Sequence, residues 1–243
     1  MTRTLFLPGI LAVSLLTGCA TQQAAVYRGA DFSRILTSGT RSAVCLPLLA
    51  VNTEYFDNTT GAADVRFSDS FLVSSADMLL LYETSRRYKL VDDTGWAEVV
   101  EARQRPAFSI LAGDTGNRAE TAAFIAERAQ RDGAEFVLVP YRCTVSYRVF
   151  QPQGWRQDVH QGGSYSRPTT YKASTLFHLQ VWHKNGTLLY ERVGKSDTGK
   201  PLLYSWFKKE SPKEDIQAYA RRFYAPPLIK SLQNAIAAAS LIQ

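Results

Sequence analysis

The chain has 243 residues, with 28 Lys+Arg against 22 Asp+Glu and a formal net charge of +6. Its 45% hydrophobic and 21% charged residues make a globular composition, which excludes an intrinsically disordered chain and a multi-span membrane protein. The charge alone identifies no partner.

Met1 to Thr4 carries one positive charge, Arg3, and Leu5 to Leu16 is an apolar run interrupted by Pro8 and Gly9. A membrane-spanning helix needs about 20 apolar residues, so this shorter run reads as a secretory signal. The tetrapeptide that follows, Leu16-Thr17-Gly18-Cys19, resembles the lipobox of bacterial lipoproteins. That resemblance implies diacylglycerol transfer to the Cys19 thiol, cleavage after Gly18 and acylation of the freed amine. Ala20 in the next position implies export to the outer membrane, so the expected location is its periplasmic face, held by the lipid anchor. The expected organisation is a signal peptide over 1–18, a lipidated tether over 19–41 and a single α/β domain over 42–243.

Residues 20–41 are rich in Ala, Gln, Thr, Ser and Gly, with a small apolar patch at Phe32, Ile35 and Leu36. They predict a flexible tether with a reach near ~26 Å. Ala43 to Leu49 is a compact apolar run that predicts a buried first strand, with Pro47 near its end. A polar loop follows over 52–61. Ser68 then caps a predicted helix on which Leu72, Ala76, Leu79 and Leu80 share a face. Tyr88 to Val91 predicts a brief strand, and Gly95 to Arg105 a short helix using Trp96, Val99 and Val100.

Asn117 and Glu120 have the form of a capping box, and Ala122, Ile125, Ala126 and Ala129 make a stripe that stops before Gly133. Phe136 to Val139 is the next strand. From Tyr141 to Val149 the sequence alternates strictly, with Tyr141, Cys143, Val145, Tyr147 and Val149 expected on the core face and Arg142, Thr144, Ser146 and Arg148 on the wet one. After a loop over 151–168, Tyr171 to His183 and Thr187 to Val193 predict a hairpin turning at Lys184-Asn185-Gly186. Ser211-Pro212-Lys213-Glu214 predicts the cap of a terminal helix that Pro226-Pro227 breaks or kinks, with Leu228, Leu232, Ala235, Ile236 and Ala239 on its continuation. Early alternation and a late hairpin predict an α/β (α+β) fold, a mixed sheet with helices packed against it.

The sequence offers little chemistry. His178 and His183 are five apart in a strand, which puts them on opposite faces, and His160 lies in a glycine-rich loop, so no metal site is expected. There is no nucleophile elbow and no phosphate-binding glycine fingerprint; Gly113-Asp114-Thr115-Gly116 reads as a turn. Neither enzymatic activity nor a cofactor is expected. Cys45 and Cys143 form an even remainder in an oxidising compartment, which permits a disulfide, yet both fall in predicted strands where buried thiols are ordinary. The loop between the long strands, out to its junction with the next one, carries Trp155, Arg156, His160, Tyr165, Arg167 and Tyr171 over 17 residues with few acids. Trp155, Arg156, Tyr165 and Arg167 are the candidate partner-binding residues, as interface anchors or as rings that stack on sugars; the alternative is that the aromatics fold back over the sheet. Nucleic acid is not an expected partner. Strands 141–149 and 171–182 also have the length of transmembrane barrel strands, with a one-sided solvent face as the plainer reading.

Taken together, the proline-containing run Ala43 to Leu49, the strand Tyr88-Lys89-Leu90-Val91, Ala129 to Val139 with Asp132-Gly133-Ala134-Glu135, and the Asn185-Gly186 hairpin resemble a known fold group. It holds the curli-secretion channel lipoprotein, the lipoprotein activators of penicillin-binding proteins and the amino-terminal domain of TolB. The resemblance implies a non-enzymatic assembly or regulatory partner of cell-envelope machinery with an envelope protein as its partner. The alternatives are an oligomeric pore-forming secretion subunit and a cell-wall glycan-binding module or hydrolase directed at peptidoglycan. No family active site can be carried over. The interrupted terminal helix and the aromatic loop depart from the group.

Overall fold

The computed structural model describes residues 23–29, 41–48, 50–57, 66–91, 118–150, 156–157, 164–165, 169–202 and 216–240. In chain order the elements are β1 (Gln23–Arg28), β2 (Ser42–Cys45), β3 (Asn52–Asp57), α1 (Asp69–Ser85), β4 (Lys89–Leu90), α2 (Arg118–Asp132), β5 (Phe136–Phe150), β6 (Arg156–Gln157), β7 (Ser164–Tyr165), β8 (Thr169–His183), β9 (Leu188–Leu202) and α3 (Ile216–Ser240). A seven-stranded sheet runs β1-β9-β8-β5-β2-β4, with β3 paired to β5, while β6 and β7 form a separate pair. The sheet is mixed: β2, β3 and β4 join in parallel, whereas β5, β8, β9 and β1 are antiparallel. The fold is the expected α/β class.

Helices cover both faces. On the front, α1 and α3 bury Leu72, Ala76, Leu80, Leu228, Leu232 and Ile236 against Val145, Tyr147, Phe177 and Leu179. On the back, α2 packs Phe124, Ile125 and Ala129 onto Val137, Val139, Trp182 and Leu188. The predicted signals act as expected where they are described. The Phe71 amide donates to Ser68 Oγ at 3.3 Å, so Ser68 satisfies one orphan donor at the start of α1. Gly133 ends α2 at φ +67°, where the Ala134 amide donates to Ala129 O at 2.9 Å, the wide closing bond of a glycine C-cap. The caps expected at Asn117 and Ser211 and the helix over Gly95–Arg105 lie outside the described residues.

Five expectations are corrected. Gln23–Arg28, within the segment read as tether, is strand β1, paired antiparallel with β9 from Gln23↔Gly194 to Arg28↔Tyr190. Asn52–Asp57, read as loop, is strand β3: its polar sequence suits an outer strand whose Asn52, Glu54 and Phe56 are exposed while Tyr55 packs on the Tyr147 ring at 5.1 Å. Phe136–Phe150 is one continuous strand, and its register shifts between Pro140 and Arg142. Proline has no amide to give the ladder and is tolerated in a bulge, and the bulge puts Tyr141 with the back-face cluster rather than with Cys143 and Val145 on the front. From Arg142 onward the predicted alternation holds.

β9 runs on to Leu202, well past the predicted end at Val193. Gly194 to Pro201 has the composition of a loop, but β8 pairs along its whole length and α3 grips it from the front. Ser231 Oγ donates to Ser196 O at 3.2 Å, and Thr198 Oγ1 to Pro227 O at 2.6 Å. Last, α3 passes through Pro226 and Pro227 as one helix. The loss of two amides is offset by packing along its length, including a Tyr224–Tyr171 ring contact at 4.7 Å beside the prolines. The helix approaches closely where β9 has Gly194: a Cβ there would lie 1.8 Å from Ala235 O.

Candidate functional site

The bulge at Tyr141 assembles a polar cluster at the heart of the back face. Tyr141 on β5 donates its hydroxyl hydrogen to Glu191 Oε1 on β9, and its oxygen lies 2.9 Å from His178 Nδ1 on β8. Since the tyrosine hydrogen is committed to the carboxylate, the histidine contact is satisfied by the Nδ1–H tautomer donating to the phenol oxygen. Gln180 Nε2 donates to Glu191 Oε2 at 3.5 Å, and Gln180 Oε1 accepts from Trp182 Nε1 at 3.0 Å. Glu191 is only 2% exposed, so its carboxylate depends on these donors and on the nearby imidazole, 3.9 Å away. The Tyr141 phenol is pushed well above its usual range, first by burial and then by the carboxylate it donates to. The cluster holds a buried charge in place across three strands; it presents neither an activated nucleophile nor a paired set of metal donors.

The histidines separate as the strand period requires. His178 joins this back-face cluster, while His183, the last residue of β8, has its ring 6.0 Å from the front-face Phe136. Cys143 is buried in β5, its thiol pushed up to about 12 by burial, and Cys45 is half-buried in β2; they form no disulfide.

Beyond the reach of α2, no described element covers the back of the sheet over the far halves of β3, β5, β8 and β9. Register aligns Phe56 with Arg148, Lys172 and Gly199; Glu54 with Ser146, Ser174 and Asp197; and Asn52 with Thr144, Leu176 and Lys195. Phe56 and Leu176 are exposed, as are Arg142, Arg148, Lys172 and Lys195. Ser146 Oγ donates to Glu54 Oε2 at 2.7 Å, and Lys172 lies 3.8 Å from Asp197.

Of the predicted binding residues, Arg156 and Tyr165 are brought directly opposite each other in the β6–β7 pair. Trp155, Arg167, His160 and the lipidation residue Cys19 lie outside the described residues. A shallow hollow at the end of α2, lined by Ser42, Gln130, Gly133, Glu135 and Lys184 among others, offers no reactive hydroxyl. Ser42 Oγ accepts from the Glu135 amide at 3.1 Å and is therefore tied to the backbone.

No family model and no curated protein matches the chain. Among solved structures it is similar to a PelC dodecamer from Paraburkholderia phytofirmans, with 10% identity, 90% of this chain and 99% of that one covered, and a TM-score of 0.23. A homolog of the neuraminyllactose-binding hemagglutinin from Helicobacter pylori gives 9% identity, 82% coverage of each chain and a TM-score of 0.31. Likeness at these scores carries no argument about function.

Proposed function

We propose that the chain is an outer-membrane-anchored, periplasm-facing lipoprotein that acts as a non-enzymatic assembly or regulatory partner of cell-envelope machinery. The observation that carries the reading is the open sheet face, which sets Arg142 and Arg148 beside exposed Phe56 and Leu176. Arginine and large apolar side chains on a rigid sheet are the usual anchors of a protein interface. The segment bearing Trp155, Arg156, Tyr165 and Arg167 joins β5 to β8 in the chain, and it supplies the aromatic and basic residues expected of a partner-binding loop. Burial of the apolar faces of β5 and β8 under α1 and α3 supports a partner-binding module over a pore subunit, whose strands would turn an apolar band to lipid.

The test is a crosslinking and mass-spectrometry census in cells, made on wild type, Cys19→Ser and the Phe56→Ala, Arg148→Ala double variant, alongside labelling with a palmitate analogue. Cys19→Ser should lose the label, because serine has no thiol to accept the diacylglyceryl group. The double variant should keep the label and its melting temperature but lose partners, at about 2 kcal/mol or more for each hot-spot residue. An unchanged partner set from a stable double variant would rule out this face.

A further inference from the structure

The outer side of α1 is unlike an ordinary solvent-facing helix. Phe71, Met78, Leu81 and Tyr82 recur at helical spacing and are 39%, 69%, 47% and 55% exposed. The acids of this helix point elsewhere: Asp77 Oδ1 accepts the Leu48 amide at 2.7 Å, buried Glu83 lies 3.6 Å from Arg86, and Asp69 is confined to the first turn. Cations instead occupy both ends. The Arg66 guanidinium sits 5.5 Å over the Tyr55 ring, which connects through Tyr147 and Phe67 to Phe71, and the Arg86 guanidinium sits 5.9 Å over the Tyr82 ring. Lys89 is exposed just beyond.

We infer that α1 is a membrane-docking helix: its apolar stripe enters the headgroup boundary of an anionic lipid surface, while Arg66, Arg86 and Lys89 meet phosphate groups at its two ends. An apolar face bounded by cations, with tyrosine at the rim, is the arrangement that interfacial helices use. A second copy of this chain would bring the same cations against one another, whereas an anionic surface complements them. The inference rests on the lipoprotein reading in one respect. β1 begins at Gln23, four residues after Cys19, so an acylated Cys19 keeps the sheet edge within about 14 Å of the bilayer at full extension. A leash this short keeps the domain near lipid, and among the described residues four of the six exposed large hydrophobics, Phe71, Met78, Leu81 and Tyr82, lie on α1.

The test places the photo-crosslinking residue p-benzoylphenylalanine at Met78 in the full chain. Adducts are weighed by mass spectrometry after irradiation in cells and after reconstitution into phosphatidylcholine vesicles with and without phosphatidylglycerol. Phospholipid adducts that increase with phosphatidylglycerol are the expected result, and Arg66→Gln or Lys89→Gln should each lower the yield roughly five-fold in those vesicles. An adduct of twice the chain mass, an adduct with another protein, no adduct, or a lipid yield indifferent to phosphatidylglycerol would each overturn the inference. Palmitate labelling of the same preparations separates the two readings. A labelled protein without lipid adducts at position 78 loses only the docking helix, whereas an unlabelled protein loses the anchor whatever position 78 does.

Discussion

Gly194→Ala is the sharpest probe of how the two sides of this fold are joined. The added methyl would lie 1.8 Å from Ala235 O, 2.8 Å from Ala235 C and 2.9 Å from Ala239 N. All three are backbone atoms of α3, so no side chain can swing aside and the helix itself must retreat. Restoring ordinary contact needs a movement of about 1.5 Å, and even a residual gap of about 1 Å after repacking forfeits about half of the dispersion contact made across it. Leu228, Leu232 and Ile236 are fully buried beneath the helix. At about 2 kcal/mol each, half of their combined contribution is about 3 kcal/mol. That loss should lower the melting temperature by roughly 5–10 °C for a domain of this size, read by circular dichroism or calorimetry. Gly199→Ala is the control, since its nearest neighbour is Tyr171 O at 3.7 Å, and it should change stability by less than ~0.5 kcal/mol. Equal melting temperatures for the Gly194→Ala chain and wild type would refute the close approach of α3 to β9.

Three further outcomes follow from the sheet. Val145→Asp puts a carboxylate at a fully buried front-face position and should cost several kcal/mol, whereas Thr144→Asp on the back face should be mild; similar urea midpoints for the two would contradict the assigned faces. Tyr141→Phe removes a donor from buried Glu191 and should cost about 1–3 kcal/mol, and the double variant with Glu191→Gln should recover much of it, because the amide needs less compensation; simple additivity in melts would argue against the cluster. Burial holds the Cys143 thiol at about 12 and raises the Tyr171 and Tyr190 phenols, so above about pH 9 the unfolded chain gives up protons that the folded one keeps. Stability should therefore fall as pH rises past that point and be insensitive to these groups below it, and a flat urea-midpoint profile from pH 8 to 11 would count against their burial.

The elements that could be read from the sequence are those specified locally. α1 has its serine cap and a stripe, α2 its stripe and Gly133, and the β8–β9 turn has Asn185-Gly186, where Gly186 takes φ +81°. What escaped is specified by partners distant in the chain. β1 and β3 have no apolar alternation of their own and become strands because β9 and β5 offer them an edge. The second half of β9 is held by hydroxyl contacts to α3 that no composition rule anticipates. At the candidate site, His178 is visible as an isolated histidine, but strict alternation puts its partner Tyr141 on the opposite face, because Tyr141 is itself the extra residue of the bulge after Pro140 that inverts the strand period. The signal was available in part: once the Asn185-Gly186 turn fixes the hairpin, Gln180 falls opposite Glu191, and a carboxylate in a buried strand requires donors close by.

The pairing of β1 with β9 also orders events in time. The two strands lie some 160 to 170 residues apart along the chain, so the first described strand can join the sheet only after nearly all the rest has been synthesised and folded. A contact of such span makes no contribution to the early nucleus and closes one of the largest loops in the topology. Until it closes, Gln23–Arg28 is a strand without its partner in the sheet. Once it closes, Gln23–Arg28 becomes the edge of the folded sheet, and its backbone is withdrawn from proteases that need an extended, unpaired chain.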